Sequence, residues 1–483
     1  MFPSFSTVTP TIERKRAENL FVTYVGRAKS ETEFCNCKKI TYSAPLHMIS
    51  GREPVEAGKH MDNRAIQNEQ EQAERTQTGG LRINVTSDVG LLPIQNAVIT
   101  ISLTGISEDT VETLRTDISG QTAEVQLQAP PLAYSLTPDS PMPYAEYNVA
   151  VSAPGYEPVT VSGVEVLPDV TAIQNIQMSP TETSQADEET IVIPDHTLYG
   201  EYPSKIPEDE IKPMDESGEI VLSRVVIPEY IIVHDGVPSD STAADYYVKY
   251  KDYIKNVASS EIYATWPEST IYANILVIMS FTLNRVYTEW YRNQGYNFTI
   301  TSSTAYDQKW IYGRNIYQNI DRLVDNIFAN FLSRPGVRQP IFTSYCDGKR
   351  VTCDGLSQWG SKYLGDEGYS AIEIIRYYYG SDMYINTASS ISGVPSSWPG
   401  YNLNIGASGE KVRQLQQQLN RIAQNFPAIP TVTADGIYGS GTVEAVRIFQ
   451  GVFDLPQTGI VDFATWYKIS AIYVGVSRIS EPG

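Results

Sequence analysis

Apolar and polar residues change their spacing along this 483-residue chain, and each change marks a new kind of structure. Between residues 79 and 182 they alternate with period two in short runs separated by turn residues, a pattern typical of strands. The runs lie at 81–85, 97–103, 123–127, 147–151 and 158–161. Short strands at regular spacing predict a small antiparallel β-sandwich.

Helical spacing replaces this alternation in the domain predicted at 225–386. A first strand is expected at 227–233, and a helix is expected to end at Ser260. A second helix is predicted over residues 267–295. Its middle, 271–281, is apolar on all sides, so we expect it to be the buried central helix.

The second half of this domain mixes helix and strand signals. An amphipathic helix is predicted at 315–331 and a strand at 340–345. A polar loop bounded by glycines follows at 355–360. After the loop, Ser370 and Glu373 have the spacing of a capping box, which predicts a helix start at Ser370.

The last domain is predicted at 401–479, after a Ser/Pro/Gly linker at 387–400. Three helices are indicated by apolar residues at helical spacing, and Asp462 is positioned to cap the third. The predicted fold class is therefore multidomain α+β: an all-β sandwich, then an α+β central domain, then a small three-helix domain. Residues 1–78 are read as a polar N-terminal tail.

Residues 183–224 join the sandwich to the central domain and differ from both in composition. The segment is rich in Asp and Glu and is punctuated by prolines. Such a composition predicts a solvated, extended spacer.

The charge of the chain excludes several classes of partner. A formal net charge of −20 argues against nucleic acid, whose phosphates it would repel, and against electrostatic binding to an anionic membrane. The longest apolar run, 271–283, is too short to span a bilayer. The N-terminal residues MFPSFSTVTPTIERKR lack an apolar core, so we see no secretory signal peptide.

Cysteine and histidine are too sparse to predict a metal site. Cys346 and Cys353 flank a glycine-containing turn, but none of the 4 histidines lies after His234. A zinc site needs four ligands, so we predict no metal and no cofactor. The cysteine pair is left as either two thiols or a disulfide, according to compartment.

Candidate chemistry lies in the loop at 355–360. Ser357, Gln358 and Trp359 offer a hydroxyl, an amide and an indole, which suit a sugar or peptide ligand. The alternative is a tight turn with a buried Trp. A second candidate is Glu261, because its apolar and aromatic neighbours would desolvate it and raise its pKa, as a general acid requires. Its alternative role is to cap or salt-bridge a loop.

Both candidates fall in blocks that resemble the stage II sporulation protein D family. These blocks are Ser357-Gln-Trp-Gly360, with a helix ending in Tyr-Tyr-Tyr-Gly380, and Ser260-Glu-Ile followed by Trp266-Pro. The resemblance implies a lytic transglycosylase in which Glu261 is the catalytic acid and base. Two positions differ from the family: Met279 stands where an Arg is usual, and Thr352-Cys353 stand where a His is usual.

Two further resemblances concern the outer domains. The blocks LNIGASGEKVRQLQQQLN, DGIYGSGTVEAVRIFQ and TGIVDFATW resemble the peptidoglycan-binding domain of bacterial wall hydrolases. This implies a peptidoglycan groove near Asp435, Tyr438, Gln450 and Trp466, although such residues also build the three-helix fold. Ser-Ala-Pro-Gly-Tyr156, before a valine-rich strand, resembles the carboxypeptidase-regulatory, transthyretin-like module, which implies a spacer without an active site.

The sequence is compatible with three functions. The leading hypothesis is a bacterial cell-wall protein that binds peptidoglycan and cleaves its glycan strands as a lytic transglycosylase. The second is a non-catalytic wall-binding protein that assists a partner amidase. The third is a structural component of a spore layer or phage-tail-like particle. The expected location is the cell wall, a spore or a particle.

Overall fold

The computed structural model describes residues 77–181, 188–212 and 224–477, and regular structure begins at Gln77. The predicted N-terminal tail therefore lies almost wholly outside the described residues, as do both ends of the acidic linker. The described residues all belong to one compact unit, Asp62–Gly483. Within them, no helix combines the length and apolar character needed to cross a membrane.

The alternating runs form two packed sheets, because every second residue turns toward a shared core. Leu81, Ile83 and Val85 are fully buried on the first strand. The elements are β1 (Gln77–Ser87), β2 (Val98–Leu103), β3 (Ile106–Arg115), β4 (Val125–Ala129), α1 (Ala133–Leu136), β5 (Ala145–Ser152), β6 (Val159–Val166) and β7 (Thr171–Met178). One sheet has the order β7-β1-β4 and the other β3-β2-β5-β6. The sandwich is not wholly antiparallel, since β1 and β7 pair in parallel.

The described part of the acidic linker, 188–212, packs against both neighbouring domains. It forms β8 (Glu189–Val192), which adds to the second sheet in parallel with β6. His196 and Lys212 are buried. The prediction of a solvated, extended spacer was wrong for these residues, because distant cations neutralise their carboxylates, as with Arg285 and Glu208 at 2.6 Å.

The central domain surrounds one long buried helix. Its first elements are β9 (Val226–Ile227), β10 (Tyr230–His234), β11 (Asp245–Lys249), α2 (Tyr250–Glu261) and α3 (Glu268–Tyr287), followed by a 3₁₀ turn at Arg292–Gln294 and β12 (Ile300–Thr301). Nearly every residue of α3 from Thr270 to Arg285 is buried, as its all-round apolar pattern predicts. The helix ends before the predicted limit, and Glu289 beyond it adopts a left-handed φ of 47°.

The remaining elements correct several predicted boundaries. They are β13 (Ile316–Tyr317), α4 (Gln318–Ile327), β14 (Asn330–Ser333), β15 (Tyr345–Cys346), β16 (Leu356–Ser357), α5 (Gln358–Asp366), α6 (Ala371–Tyr379), β17 (Tyr384–Thr387) and β18 (Ser390–Ile391). The helix predicted at 315–331 is shortened at both ends, because β13 pairs with β7 of the sandwich and β14 pairs with β17.

Local capping signals explain where two of these helices begin. The predicted capping box of Ser370 and Glu373 is confirmed at the start of α6. At α5, the Ser357 hydroxyl accepts a hydrogen bond of 2.9 Å from the Gly360 N–H, so the helix starts at Gln358. The predicted loop at 355–360 is therefore half helical.

Three helices form the C-terminal domain, as predicted: α7 (Glu410–Asn425), α8 (Ser440–Val452) and α9 (Phe463–Ser477). Asp462 caps the third by accepting a 2.9 Å hydrogen bond from the Thr465 N–H. The domain packs on the rest of the described chain, since Lys468 pairs with buried Asp325 at 2.8 Å. The predicted multidomain α+β fold class is confirmed.

Candidate functional site

Glu261 is the last residue of α2, and its side chain is held by three neighbouring groups. Its Oε1 accepts hydrogen bonds from the Lys309 backbone N–H at 2.8 Å and from the Tyr345 hydroxyl at 3.2 Å. The Gln358 amide donates to its Oε2 at 3.2 Å and to its backbone oxygen at 2.9 Å. With 5% of its surface exposed, Glu261 has a fixed orientation.

A cleft of about 490 Å³ opens beside this carboxylate. Its lining combines side chains from the acidic segment, the end of α2 and the turn around the cysteines. The lining residues are Thr197, Gly200, Glu201, Tyr202, Pro203, Ser204, Lys205, Glu261, Thr304, Tyr345, Cys346, Asp347, Arg350, Val351 and Gln358. Its mixture of carboxylate, amide, hydroxyl and aromatic groups suits a polar ligand such as a sugar.

The other carboxylates of the cleft differ from Glu261 in their surroundings. Asp347 is occupied by its own turn, accepting from the N–H groups of Lys349 at 3.1 Å and Val351 at 2.8 Å and from Arg350 Nε at 3.1 Å. Glu201 is exposed. Glu261 differs from both: it is buried, and its hydrogen bonds come from neutral donors rather than from an arginine.

Lys205 places a cation in the same cleft. Its Nζ donates to the Asp307 backbone oxygen at 2.5 Å and lies 4.3 Å from the centre of the Tyr345 ring. Burial lowers the pKa of Lys205, while the negative charge of Glu261 acts in the opposite direction. Burial and the Glu261 charge together raise the pKa of Tyr345 well above its usual value, so its hydroxyl stays a donor.

The predicted sugar-binding trio divides among three tasks. Gln358 lines the cleft and contacts Glu261. Trp359 is buried, with its ring centre 5.0 Å from that of Trp266, which matches the alternative of a buried Trp. Ser357 caps α5. Only the amide thus reaches the candidate site directly.

A disulfide closes the turn at the cleft. The structure joins Cys346 to Cys353, so of the two alternatives left open by the sequence it shows the oxidised pair. The closed turn contains Asp347 and Arg350, which both line the cleft. In the ranges that the structure covers, no group of three or more His, Cys, Asp or Glu side chains is arranged to hold a metal.

The four candidates of the C-terminal domain do not form one open groove. Tyr438, Gln450 and Trp466 are buried. Their polar atoms bind other parts of the protein: the Tyr438 hydroxyl donates to the Gly459 oxygen at 2.9 Å, and Trp466 Nε1 donates to the oxygen of Ser396 in the preceding linker at 3.0 Å. Gln450 binds the same turn, accepting from the Gly459 N–H at 2.8 Å.

Asp435 is the exposed member of this group. Hydrogen bonds from the Ile437 N–H at 2.8 Å and from Gln416 at 3.1 Å lower its pKa. Beside it, Ile405 and Ile437 are 67% and 58% exposed, and backbone bonds join their segments. Sequence reasoning missed these two isoleucines because neither lies in a helical pattern. The available signal was their position in two quoted motif blocks, Leu403-Asn-Ile-Gly406 and Asp435-Gly-Ile-Tyr438.

Comparison with known proteins identifies this last domain. Residues 408–469 match the family described as "Putative peptidoglycan binding domain". The match covers the C-terminal domain of this chain and none of the preceding domains. The resemblance stated for residues 401–479 is confirmed, and the peptidoglycan-binding domain associates the protein with the bacterial cell wall.

Solved structures give likenesses over small parts of the chain. The SleB N-terminal domain is 33% identical, over 15% of this chain and 93% of that one, with a TM-score of 0.13. The Bacillus anthracis TIE protein is 16% identical, over 22% of this chain, with a TM-score of 0.16. GBS52, the minor pilin of Streptococcus agalactiae, is 15% identical, over 23% of this chain, with a TM-score of 0.16. The chain spans 17% and 48% of the latter two proteins. No curated protein matches it significantly.

Proposed function

We propose that this protein binds peptidoglycan through its C-terminal domain and cleaves the glycan strands of the same polymer at Glu261, as a lytic transglycosylase. The observation that carries the proposal is the position of Glu261. It is a buried carboxylate beside a polar cleft, held by Tyr345, Gln358 and the Lys309 N–H. A wall-binding domain in the same chain would keep such a cleft close to its polymer.

The chemistry requires one carboxyl group that gives and then takes a proton. In the first step the Glu261 carboxyl group gives a proton to the glycosidic oxygen, and the bond to the muramyl C1 breaks. In the second step the carboxylate takes the proton of the muramyl 6-hydroxyl, whose oxygen bonds to C1 and forms the anhydro ring. No water is consumed, so the reaction needs no second carboxylate to activate one, in contrast to an inverting glycosidase.

The contacts of Glu261 also favour a second candidate function. Both carboxylate oxygens accept hydrogen bonds from the protein, which is the arrangement of a residue that holds a loop. The buried Met279, at the position where the resembled family has an Arg, points the same way. In this alternative the cleft binds glycan without cleaving it, and the protein supports a partner amidase or forms part of a spore layer or particle.

The test is digestion of purified glycan strands, with anhydromuramyl ends measured by mass spectrometry. Glu261→Gln retains the shape but cannot transfer the proton, so we expect the rate to fall by at least about two orders of magnitude. Glu268→Gln is the matched control, because Glu268 is an exposed carboxylate in the first turn of α3. Full activity in Glu261→Gln would falsify the catalytic role. No anhydro product from the wild type, with wall binding intact, would favour the non-catalytic alternative.

A further inference from the structure

One side of the cleft beside Glu261 is formed by a segment outside the central domain. Residues 196–205, called the strap below, come from the acidic linker. Strap residues from Gly200 to Lys205 line the cleft together with Glu261 and Gln358. The strap contains turns but no helix or strand, so its position must depend on contacts made by side chains and backbone carbonyls.

The beginning of the strap is fixed to the end of the helix that carries Glu261. Thr197 donates to the Ser260 oxygen twice, from its hydroxyl at 2.7 Å and from its N–H at 3.2 Å. His196 is fully buried, and its Nε2 lies 3.3 Å from the Ile262 oxygen. The two residues thus bind on either side of Glu261.

The middle of the strap is held by one guanidinium. Arg350 donates from Nη1 to the Tyr199 oxygen at 2.8 Å and to the Gly200 oxygen at 2.5 Å. From Nη2 it donates to the Thr197 oxygen at 3.0 Å. Contacts from one planar group to three carbonyls within four residues are a geometry that Arg provides and that Lys, with a single ammonium, does not.

The orientation of Arg350 is itself fixed. Its Nε binds the Asp347 carboxylate at 3.1 Å, and that carboxylate also receives N–H groups of the turn closed by Cys346 and Cys353. At the other end of the strap, Lys205 is held by the Asp307 oxygen and the Tyr345 ring. Between these two ends, the side chain of Arg350, which belongs to the disulfide turn, contacts the strap backbone.

We infer that Arg350 is a positioning residue that fixes the strap as a wall of the cleft and thereby sets the affinity of the cleft for its glycan ligand. The inference rests on the proposed function of the Glu261 cleft. Arg350 itself lines the cleft, but its guanidinium donates to Asp347 and to three strap carbonyls. Its effect on ligand binding is therefore exerted through the strap. Its loss should therefore raise KM and leave kcat nearly unchanged.

The experiment compares three variants of the full-length protein. Arg350→Ala removes the contacts, Arg350→Lys retains the charge without the fork of donors, and Lys349→Ala removes a neighbouring charge that does not contact the strap. Hydrogen–deuterium exchange of strap amides reports its position. Binding is measured by calorimetry with a soluble tetrasaccharide from purified glycan strands, in the Glu261→Gln background so that no turnover occurs.

We expect Arg350→Ala to speed exchange in the strap and to weaken tetrasaccharide binding by about tenfold, which is the effect of about one lost charge-assisted hydrogen bond. Arg350→Lys should recover part of the affinity, and Lys349→Ala should match the parent protein. In the active background, Arg350→Ala should raise KM by a similar factor with kcat within about threefold. Thermal unfolding confirms that each variant is folded.

The inference is overturned if Arg350→Ala and Lys349→Ala bind the tetrasaccharide equally, or if strap exchange is the same in both. A fall in kcat at constant KM would also overturn it. Failure of the proposed function is a separate result: a wild type that releases no anhydro ends refutes the transglycosylase, while exchange and calorimetry still decide the role of Arg350. Because the wall-binding domain is the same in every variant, its contribution cancels in the comparison.

Discussion

Replacing Glu165 with leucine should destabilise the protein more than any surface substitution, because it would leave a buried guanidinium unpaired. Glu165 lies on β6 of the sandwich, and Arg314 precedes β13 of the central domain. Two hydrogen bonds of 2.8 and 2.6 Å join them, and their side chains are 1% and 0% exposed. Arg314 also donates to the Ser259 oxygen at 3.1 and 2.7 Å, two residues before Glu261.

The magnitude follows from these contacts. Each lost charge-assisted hydrogen bond contributes about 1.5–3 kcal/mol, so two give about 3–6 kcal/mol. Removing one partner of a buried ion pair costs about 3–5 kcal/mol by an independent estimate. These energies need no reduction for screening by solvent, since both side chains are buried. We therefore expect Glu165→Leu to lower the free energy of unfolding by about 3–5 kcal/mol.

The assay is urea unfolding followed by tryptophan fluorescence, because urea is uncharged and does not screen the pair. Arg314→Met in the Glu165→Leu background removes the stranded charge, so the double variant should recover much of the loss. Glu201→Leu, at an exposed position, is the control and should change stability by less than about 0.5 kcal/mol. A loss below about 1 kcal/mol in Glu165→Leu, or no recovery in the double variant, would refute the reasoning.

Three other predictions concern pH, the disulfide and wall binding. Burial, with the positive charge of Arg314, holds the pKa of His196 well below its usual value. On acidification the unfolded chain therefore takes up the proton first, and the free energy of unfolding should fall below about pH 6.5 by up to about 1.4 kcal/mol per pH unit. Urea unfolding of His196→Gln, which should lack this pH dependence, checks the prediction. Reducing the Cys346–Cys353 disulfide frees the turn that carries Arg350, so strap amides should exchange faster, and unchanged exchange rates would contradict this. A fragment of residues 396–477, which retains the Ser396 contact of Trp466, should co-sediment with purified peptidoglycan, whereas a fragment of residues 79–182 should not; equal sedimentation of the two would contradict the assignment.

Local signals were sufficient wherever a structure depends on nearby residues. The three C-terminal helices follow from apolar residues at helical spacing. The capping residues Asp462 and Ser370 each bond to a residue three positions further along the chain. The first strand of the sandwich follows from the alternation of Leu81, Ile83 and Val85. The buried α3 helix follows from its apolar surface.

Elements that depend on distant partners were missed. The two residues of β13 form a strand only because β7, more than a hundred residues earlier, accepts them. They continued the helical pattern of α4, so periodicity alone assigned them to the helix. The β3 strand was missed because it carries many polar residues, as its position at a sheet edge allows. The β7 strand was missed because polar residues interrupt its apolar ones, although it lies between β13 and β1.

The candidate site divides in the same way. The resemblance singled out Glu261 and Gln358 separately, and the structure brings them within 3.2 Å although 97 positions separate them. Tyr345 and Lys205 complete the surroundings of Glu261. Neither was assigned to the site from the sequence, since tyrosine is abundant in this chain and Lys205 lay in the predicted spacer. The C-terminal candidates were chosen by motif, and three of the four are buried with their polar atoms bonded to the protein itself.

The acidic segment at 188–212 shows why its composition led to a wrong prediction. Charge counting along the sequence compares each carboxylate with its chain neighbours, but Glu208 pairs with Arg285, 77 positions away, and Glu210 pairs with Arg334, 124 positions away. An acidic, proline-rich segment can therefore bind a surface that supplies arginines. The strap, which precedes these two glutamates, is held by Arg350 through its backbone carbonyls and lines the cleft beside Glu261. The strap is therefore part of the candidate site rather than a connection to it.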